Sequence, residues 1–143
     1  MKRALEWILR FGLGALFVYA GWVKLRDPTA FATEVTNYHF FPSLAPYLAV
    51  TLPPAELVAG AGLIVLPREW RRAAALAVAL LCAMFTVAVA QAVARHINVD
   101  CGCFGGASGP VTGVTVLRDL ALLAGAIAIY ALSPSGPPRA RPA

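Results

Sequence analysis

Charge is what this chain has least of. Asp, Glu, Lys and Arg together make up 13% of its 143 residues, about half the ~25% of an ordinary soluble domain. Twelve basic and seven acidic side chains cannot cover the water-facing surface of a domain this size. That excludes an ordinary soluble enzyme, a DNA-binding domain and a disordered tail as the main character of the chain. No repeat of solenoid period is visible either, and the length permits one domain. Apolar residues fill the gap, at 59%, and the mean hydropathy is +0.71. The pI of about 9.6 would point to nucleic acid in a soluble protein. In so apolar a chain it reflects Lys and Arg that orient the protein in a bilayer, so the expected partner is lipid and not nucleic acid.

A bilayer core about 30 Å thick needs roughly 20 apolar residues in a helix. Four stretches qualify: Leu5 to Val23, Leu44 to Leu66, Ala73 to Ala94 and Val114 to Leu132. The first carries Gly12, Gly14 and Gly21, residues that let membrane helices approach closely. The second contains Pro46, Pro53 and Pro54, and its uninterrupted part, Ala55 to Leu66, is short. It is expected either to begin with a broken or re-entrant segment or to tilt. Pro67 to Arg72 is a tight charged turn, which favours a hairpin-plus-hairpin, antiparallel four-helix bundle. Residues 1–132 form this transmembrane domain. Residues 133–143, with four Pro and two Arg, read as a disordered tail.

The positive-inside rule predicts the orientation. One side receives Lys2, Arg3, Arg10, Arg68, Arg71, Arg72, Arg139 and Arg141, the other Lys24, Arg26, Arg95 and Arg118. Both termini are therefore expected in the cytoplasm. A cleavable signal peptide is the rival reading of the start, since Met-Lys-Arg resembles an n-region and Val18-Tyr19-Ala20 a cleavage site. Glu6 and Arg10 interrupt what would be its apolar core and argue against cleavage. Spaced i,i+4, they are expected to neutralise each other.

The first outer loop opens with Asp27-Pro28, an N-cap followed by Pro at the first helical position. Phe31, Val35 and Tyr38 fall on one stripe of the short helix that should follow. Tyr38, Phe40, Phe41 and Tyr47 form an aromatic cluster suited to the headgroup level. Either the segment lies along the interface, which is the reading favoured, or it lids the outer end of the bundle.

The third loop holds Cys101-Gly102-Cys103, preceded by His96 and Asp100. Cα atoms two residues apart are separated by at most ~7 Å, and a disulfide tolerates about 4.4–6.8 Å. The pair can therefore close if the chain bends, which Gly102 permits. So small a ring is strained, and strained, exposed disulfides are the labile or catalytic ones. Arg95, His96 and the start of the fourth helix favour the thiolate, whereas Asp100 opposes it. Three readings stand open: thiol–disulfide exchange, a structural or partner-linked disulfide, and binding of a soft metal such as Cu(I) or Zn. Two thiolates and His96 fall short of a four-ligand zinc site. Cys82, mid-span, reads as a small apolar residue.

Ionisable residues within membrane spans are functional candidates. Lys24 ends the first span, Glu56 lies early in the second, Gln91 late in the third, and Arg118 and Asp119 one turn into the fourth. Because the spans alternate, all fall toward the side carrying the cysteines. Glu56 is expected to pair with Lys24 or Arg118. Adjacent helical residues face about 100° apart, so Arg118 and Asp119 are not expected to meet one partner. This layer either fixes helix register or handles protons.

Gly21-Trp22-Val23-Lys24-Leu25-Arg26-Asp27-Pro28, Pro53-Pro54-Ala55-Glu56-Leu57, Asp100-Cys101-Gly102-Cys103-Phe104-Gly105 and Arg118-Asp119 together resemble the methylamine-utilisation MauE family of the DoxX-like group. The resemblance covers nearly the whole chain except the tail, and the Asp-Cys-Gly-Cys run is its most specific part. It implies a four-span inner-membrane protein. It further implies a need, with a thioredoxin-like periplasmic partner, for maturation of the disulfide-rich small subunit of methylamine dehydrogenase. Lys24, Glu56, Cys101, Cys103 and Arg118 are the positions carried over. Cys101 and Cys103 are then the expected catalytic pair, with Lys24, Glu56, Arg118, Asp119 and His96 as supporting charges and an exported disulfide-containing client as substrate. A quinone within the bundle is a candidate electron acceptor by fold-level analogy alone. The alternative is a non-catalytic membrane scaffold, or a soft-metal or solute transporter.

Overall fold

The structure, a computed structural model, describes residues 1–100 and 109–133. Its helices are α1 (Lys2–Arg26), α2 (Pro28–Asn37), α3 (Ala45–Val65), α4 (Arg68–Ala94) and α5 (Gly113–Leu132), with a 3-10 turn at Pro42–Leu44 before α3. Four segments, Lys2–Arg26, Pro42–Val65, Arg68–Ala94 and Gly113–Leu132, are long and apolar enough to cross a membrane. The chain is an all-α, multi-pass membrane protein.

The long helices alternate in direction. α1 packs on α3, α3 on α4, α4 on α5, and α5 closes the ring on α1. The α1–α3 and α4–α5 contacts are the most extensive, as a pair of hairpins requires. Glycine sets the α1–α3 approach. A Cβ on Gly60 would stand 2.7 Å from the Gly14 carbonyl oxygen, and one on Gly21 would stand 2.7 Å from that of Pro53. Backbone therefore meets backbone with no side chain between.

Neither Pro53 nor Pro54 breaks the second span. α3 runs continuously through both from Ala45 to Val65. Its 21 residues rise about 31 Å, enough for the hydrocarbon core without a re-entrant start. Proline removes two intrahelical donors, but membrane helices tolerate this where neighbours pack against the altered turn. Gly21 lies against it.

At the opposite end the expected Glu6–Arg10 pair does not form. Glu6 Oε1 instead accepts from Arg71 Nη1 at 3.1 Å. Arg10 turns inward, and its Nε and Nη2 donate to the carbonyls of Leu63 and Ile64. The last carbonyls of a helix have no intrahelical donor and carry the negative end of its dipole. A buried guanidinium answers both needs, which a surface i,i+4 pair does not.

Ser133, taken from sequence as the first tail residue, is buried and donates its hydroxyl to the Ile129 carbonyl at 2.8 Å. It closes α5. The rest of the tail, from residue 134, lies outside the described residues.

Candidate functional site: a buried charge layer

Lys24 occupies the last turn of α1, where a cation complements the helix dipole. Its Nζ meets Glu56 Oε1 of α3 at 2.5 Å, with the two side chains only 2% and 1% exposed. Of the two partners foreseen for Glu56, Lys24 is the one observed. Charge at bilayer depth costs at least about 2.5–3.5 kcal/mol per group on the insertion scale. Pairing offsets part of that, and aromatic faces offset more. Lys24 Nζ lies 5.1 Å from the Phe31 ring centroid and 4.8 Å from that of Phe85, within cation–π range.

α5 adds a second pair. Arg118 Nε and Nη2 both donate to Asp119 Oδ1, at 3.1 and 2.9 Å. Although the Cα–Cβ vectors of neighbours diverge, the long arginine stem folds back across the helix. Asp119 is buried and Arg118 is partly exposed. They bond each other and share no third partner among the bonds described. They line a cavity of about 30 Å³ with Lys24, Glu56 and Cys82. Glu56 Oε2 and Asp119 Oδ2 are buried there without a hydrogen-bond partner. Such a volume has room for about two waters, and two carboxylates and a lysine border it.

A second, more apolar cavity of about 70 Å³ lies beside it, with Lys24 and Phe85 in both walls. Its cover is α2. Asp27 caps that helix by accepting from Ala30 N–H at 3.0 Å and Thr29 Oγ1 at 2.8 Å. These bonds hold the Asp27 carboxyl below the ordinary range. Phe31, Val35, Tyr38 and Phe40 turn into the cavity, whereas Phe41 and Tyr47 are exposed. α2 thus covers this cavity, as the lid reading expected, while Phe41 and Tyr47 remain outward. Gln91 ties it down by donating to the Tyr38 carbonyl at 2.7 Å, and Arg95 bonds Gln91 Oε1 at 3.1 Å. Gln91 therefore serves the lid and does not line the charge cavity.

Cys101 and Cys103 lie outside the described residues, but the chain on either side of them is defined. Asp100 and Pro110 form an antiparallel bridge, and Val111 N–H donates to the Val99 carbonyl at 3.0 Å. The loop is pinched shut at its base, between the end of α4 and the start of α5, on the same end of the bundle as Lys24 and Glu56. His96 is exposed just past α4 with a left-handed φ of 54°. It is not among the cavity-lining residues. Among the described residues no three His, Cys, Asp or Glu side chains cluster as a metal site would require. An engineered apolar cavity of about 150 Å³ takes up benzene, and the two cavities hold about 30 and 70 Å³. Neither cavity is large enough as shaped for a quinone ring.

The sequence profile described as "Methylamine utilisation protein MauE" matches residues 2–132. The chain belongs to the MauE family. Two curated relatives named methylamine utilization protein MauE are similar to it. That of Paracoccus denitrificans is 41% identical over 135 residues, covering 92% of this chain and 72% of the relative. That of Paracoccus versutus is 36% identical over 137 residues, covering 94% and 73%. No solved structure matches.

Sequence reasoning missed three residues of the site in this MauE-family chain: Phe31, Phe85 and Cys82. Cys82 sits on the buried stripe Ala75, Val78, Cys82, Thr86, Val89 of α4. That helical spacing was the available sign that it faces the bundle interior and not lipid. Nothing local marks Phe31 and Phe85 as neighbours of Lys24, because their meeting depends on how α2 and α4 pack against the end of α1.

Proposed function

We propose that this chain is a membrane component of methylamine utilisation that exchanges disulfides through Cys101 and Cys103 on the periplasmic side of the inner membrane, with both termini in the cytoplasm. Its partners would be a thioredoxin-like periplasmic protein and an exported client, the disulfide-rich small subunit of an amine dehydrogenase. The observation that carries the reading is the pinched loop base. The Asp100–Pro110 bridge holds the flanks of the cysteine pair at the end of the bundle where Lys24, Glu56 and Asp119 are buried. Membership of a family named for methylamine utilisation supplies the pathway.

Exchange runs through a mixed disulfide. The thiolate of one cysteine attacks a partner disulfide. The other then attacks the mixed bond, which leaves a Cys101–Cys103 disulfide and a dithiol on the partner. The same steps in reverse oxidise a dithiol client. Lys24, Glu56, Arg118 and Asp119 act as a supporting charge layer at that end of the bundle, and His96, five residues before Cys101 in sequence, as a group favouring thiolate. The test is trapping. Cys101→Ser or Cys103→Ser alone should leave a covalent adduct with the partner, identifiable by mass spectrometry, and the double variant should abolish client maturation. Full maturation of the client by the double variant would overturn the reading. An impermeant thiol reagent should label the reduced pair in intact spheroplasts.

A further inference from the structure

The end of the bundle remote from the cysteines carries a feature that the proposed function does not use. A cavity of about 360 Å³ opens between the first three turns of α1 and the start of α4, lined by Arg3, Glu6, Trp7, Arg10, Arg68 and Arg71. Four arginines against one glutamate leave a formal excess of positive charge. Two of the arginines, Arg10 and Arg71, form buried walls, 7% and 8% exposed. Arg10 is committed to the carbonyls of Leu63 and Ile64. Arg71 is not fully occupied. One Nη bonds Glu6 at 3.1 Å, but its buried Nε has no partner. A buried charged donor left unsatisfied is costly, and a negative charge in the adjoining cavity would offset the guanidinium's uncompensated charge. Arg3 and Arg68 stand exposed at the mouth. The start of α4 adds the positive end of its dipole, a setting that suits phosphate.

The level of the cavity narrows the source of that phosphate. Trp7 lines it and Trp70 lies one residue from Arg71; both are more than half exposed. Tryptophan concentrates where hydrocarbon gives way to headgroups. Basic pockets between membrane helices at that depth take lipid phosphates. We infer that this cavity binds the phosphate of an anionic phospholipid, with Arg71 and Arg68 as its principal donors and Arg3 closing over it. The inference does not depend on the redox reading of the other end.

Native mass spectrometry of the full-length protein titrated with phosphatidylglycerol or phosphatidylcholine tests it. Phosphatidylglycerol should bind about tenfold or more tightly than phosphatidylcholine. It should also raise the Tm, and millimolar inorganic phosphate should not displace it. The Arg3→Gln/Arg68→Gln double variant, which touches neither buried arginine, should lose most of that preference. Arg26→Gln, at the opposite end, should keep it. Equal binding of the two lipids by the unaltered protein overturns the inference without any variant having to fold. Displacement by inorganic phosphate overturns the lipid as its source. An equal loss in Arg26→Gln reduces the effect to net charge and also overturns it.

Discussion

Lys24 and Glu56, 32 positions apart, form an ion pair at 2.5 Å that joins the end of α1 to the middle of α3, with both side chains almost completely buried. Removing one partner of such a pair leaves an uncompensated charge, which costs about 3–5 kcal/mol, whereas replacing both with apolar groups is often near neutral. Lys24→Met and Glu56→Leu should each destabilise the protein by that order, and the double variant should recover most of the loss. Denaturant titration in detergent, analysed as a double-mutant cycle, measures this. Additive losses would mean that the two charges do not depend on one another.

The four spans were legible because hydrocarbon thickness dictates about 20 apolar residues, a pattern that needs no tertiary knowledge. The α2 start was legible because Asp27-Pro28 is a local signal. Less legible were features decided by a neighbour's surface. α3 stays continuous through Pro53 and Pro54 with Gly21 of α1 packed against that turn. Arg10 abandons Glu6 because the end of α3 presents two carbonyls to it. Lys24 and Glu56 were named as a candidate pair from charge and alternation of spans. The aromatic faces of Phe31 and Phe85 around Lys24 were not, since they arrive from α2 and α4 only after folding.

The glycines should separate into two kinds. A Cβ at Gly60 meets the Gly14 carbonyl at 2.7 Å, while one at Gly12 meets nothing within 4 Å. Gly60→Ala should therefore force α1 and α3 apart, at about 1–3 kcal/mol, the usual penalty of overpacking. Gly12→Ala should be neutral or stabilising by up to about 1 kcal/mol through helix propensity. Thermal unfolding of both variants in one detergent decides this, and equal effects would contradict the close α1–α3 approach.

Acidification should release α2 at its start. The bond from Ala30 N–H, followed by that from Thr29, keeps the Asp27 carboxyl below its ordinary range. A carboxyl depressed in the folded state stabilises fully above its unfolded pKa, and that contribution is lost as pH falls through the folded value. The Ala30 amide should thus stay protected at neutral pH. Its protection should fall once pH drops below the usual aspartate value of about 3.9. Hydrogen exchange at Ala30 reads this directly, after correction for intrinsic exchange rates. Asp27→Asn, which keeps an acceptor but no titrating group, should flatten the profile; an unchanged profile would place its cause elsewhere.

The three cysteines should differ in reactivity for reasons of place. Cys82 is 3% exposed and borders the charge cavity within the bundle, where a maleimide cannot reach without separating the helices. In the folded, reduced protein, alkylation should therefore stop at the Cys101 and Cys103 sites, and the third thiol should react only after denaturation. Cys82→Ala should leave the folded-state count unchanged and lower the denatured count by one. Destabilising the layer should expose it. In Lys24→Met, where Glu56 loses its cation, slow labelling of Cys82 should begin under conditions in which the unaltered protein resists. Mass spectrometry of the alkylated chain distinguishes the sites. Rapid labelling of Cys82 in the unaltered protein would contradict the closed packing of α1, α3, α4 and α5 around the ion pair.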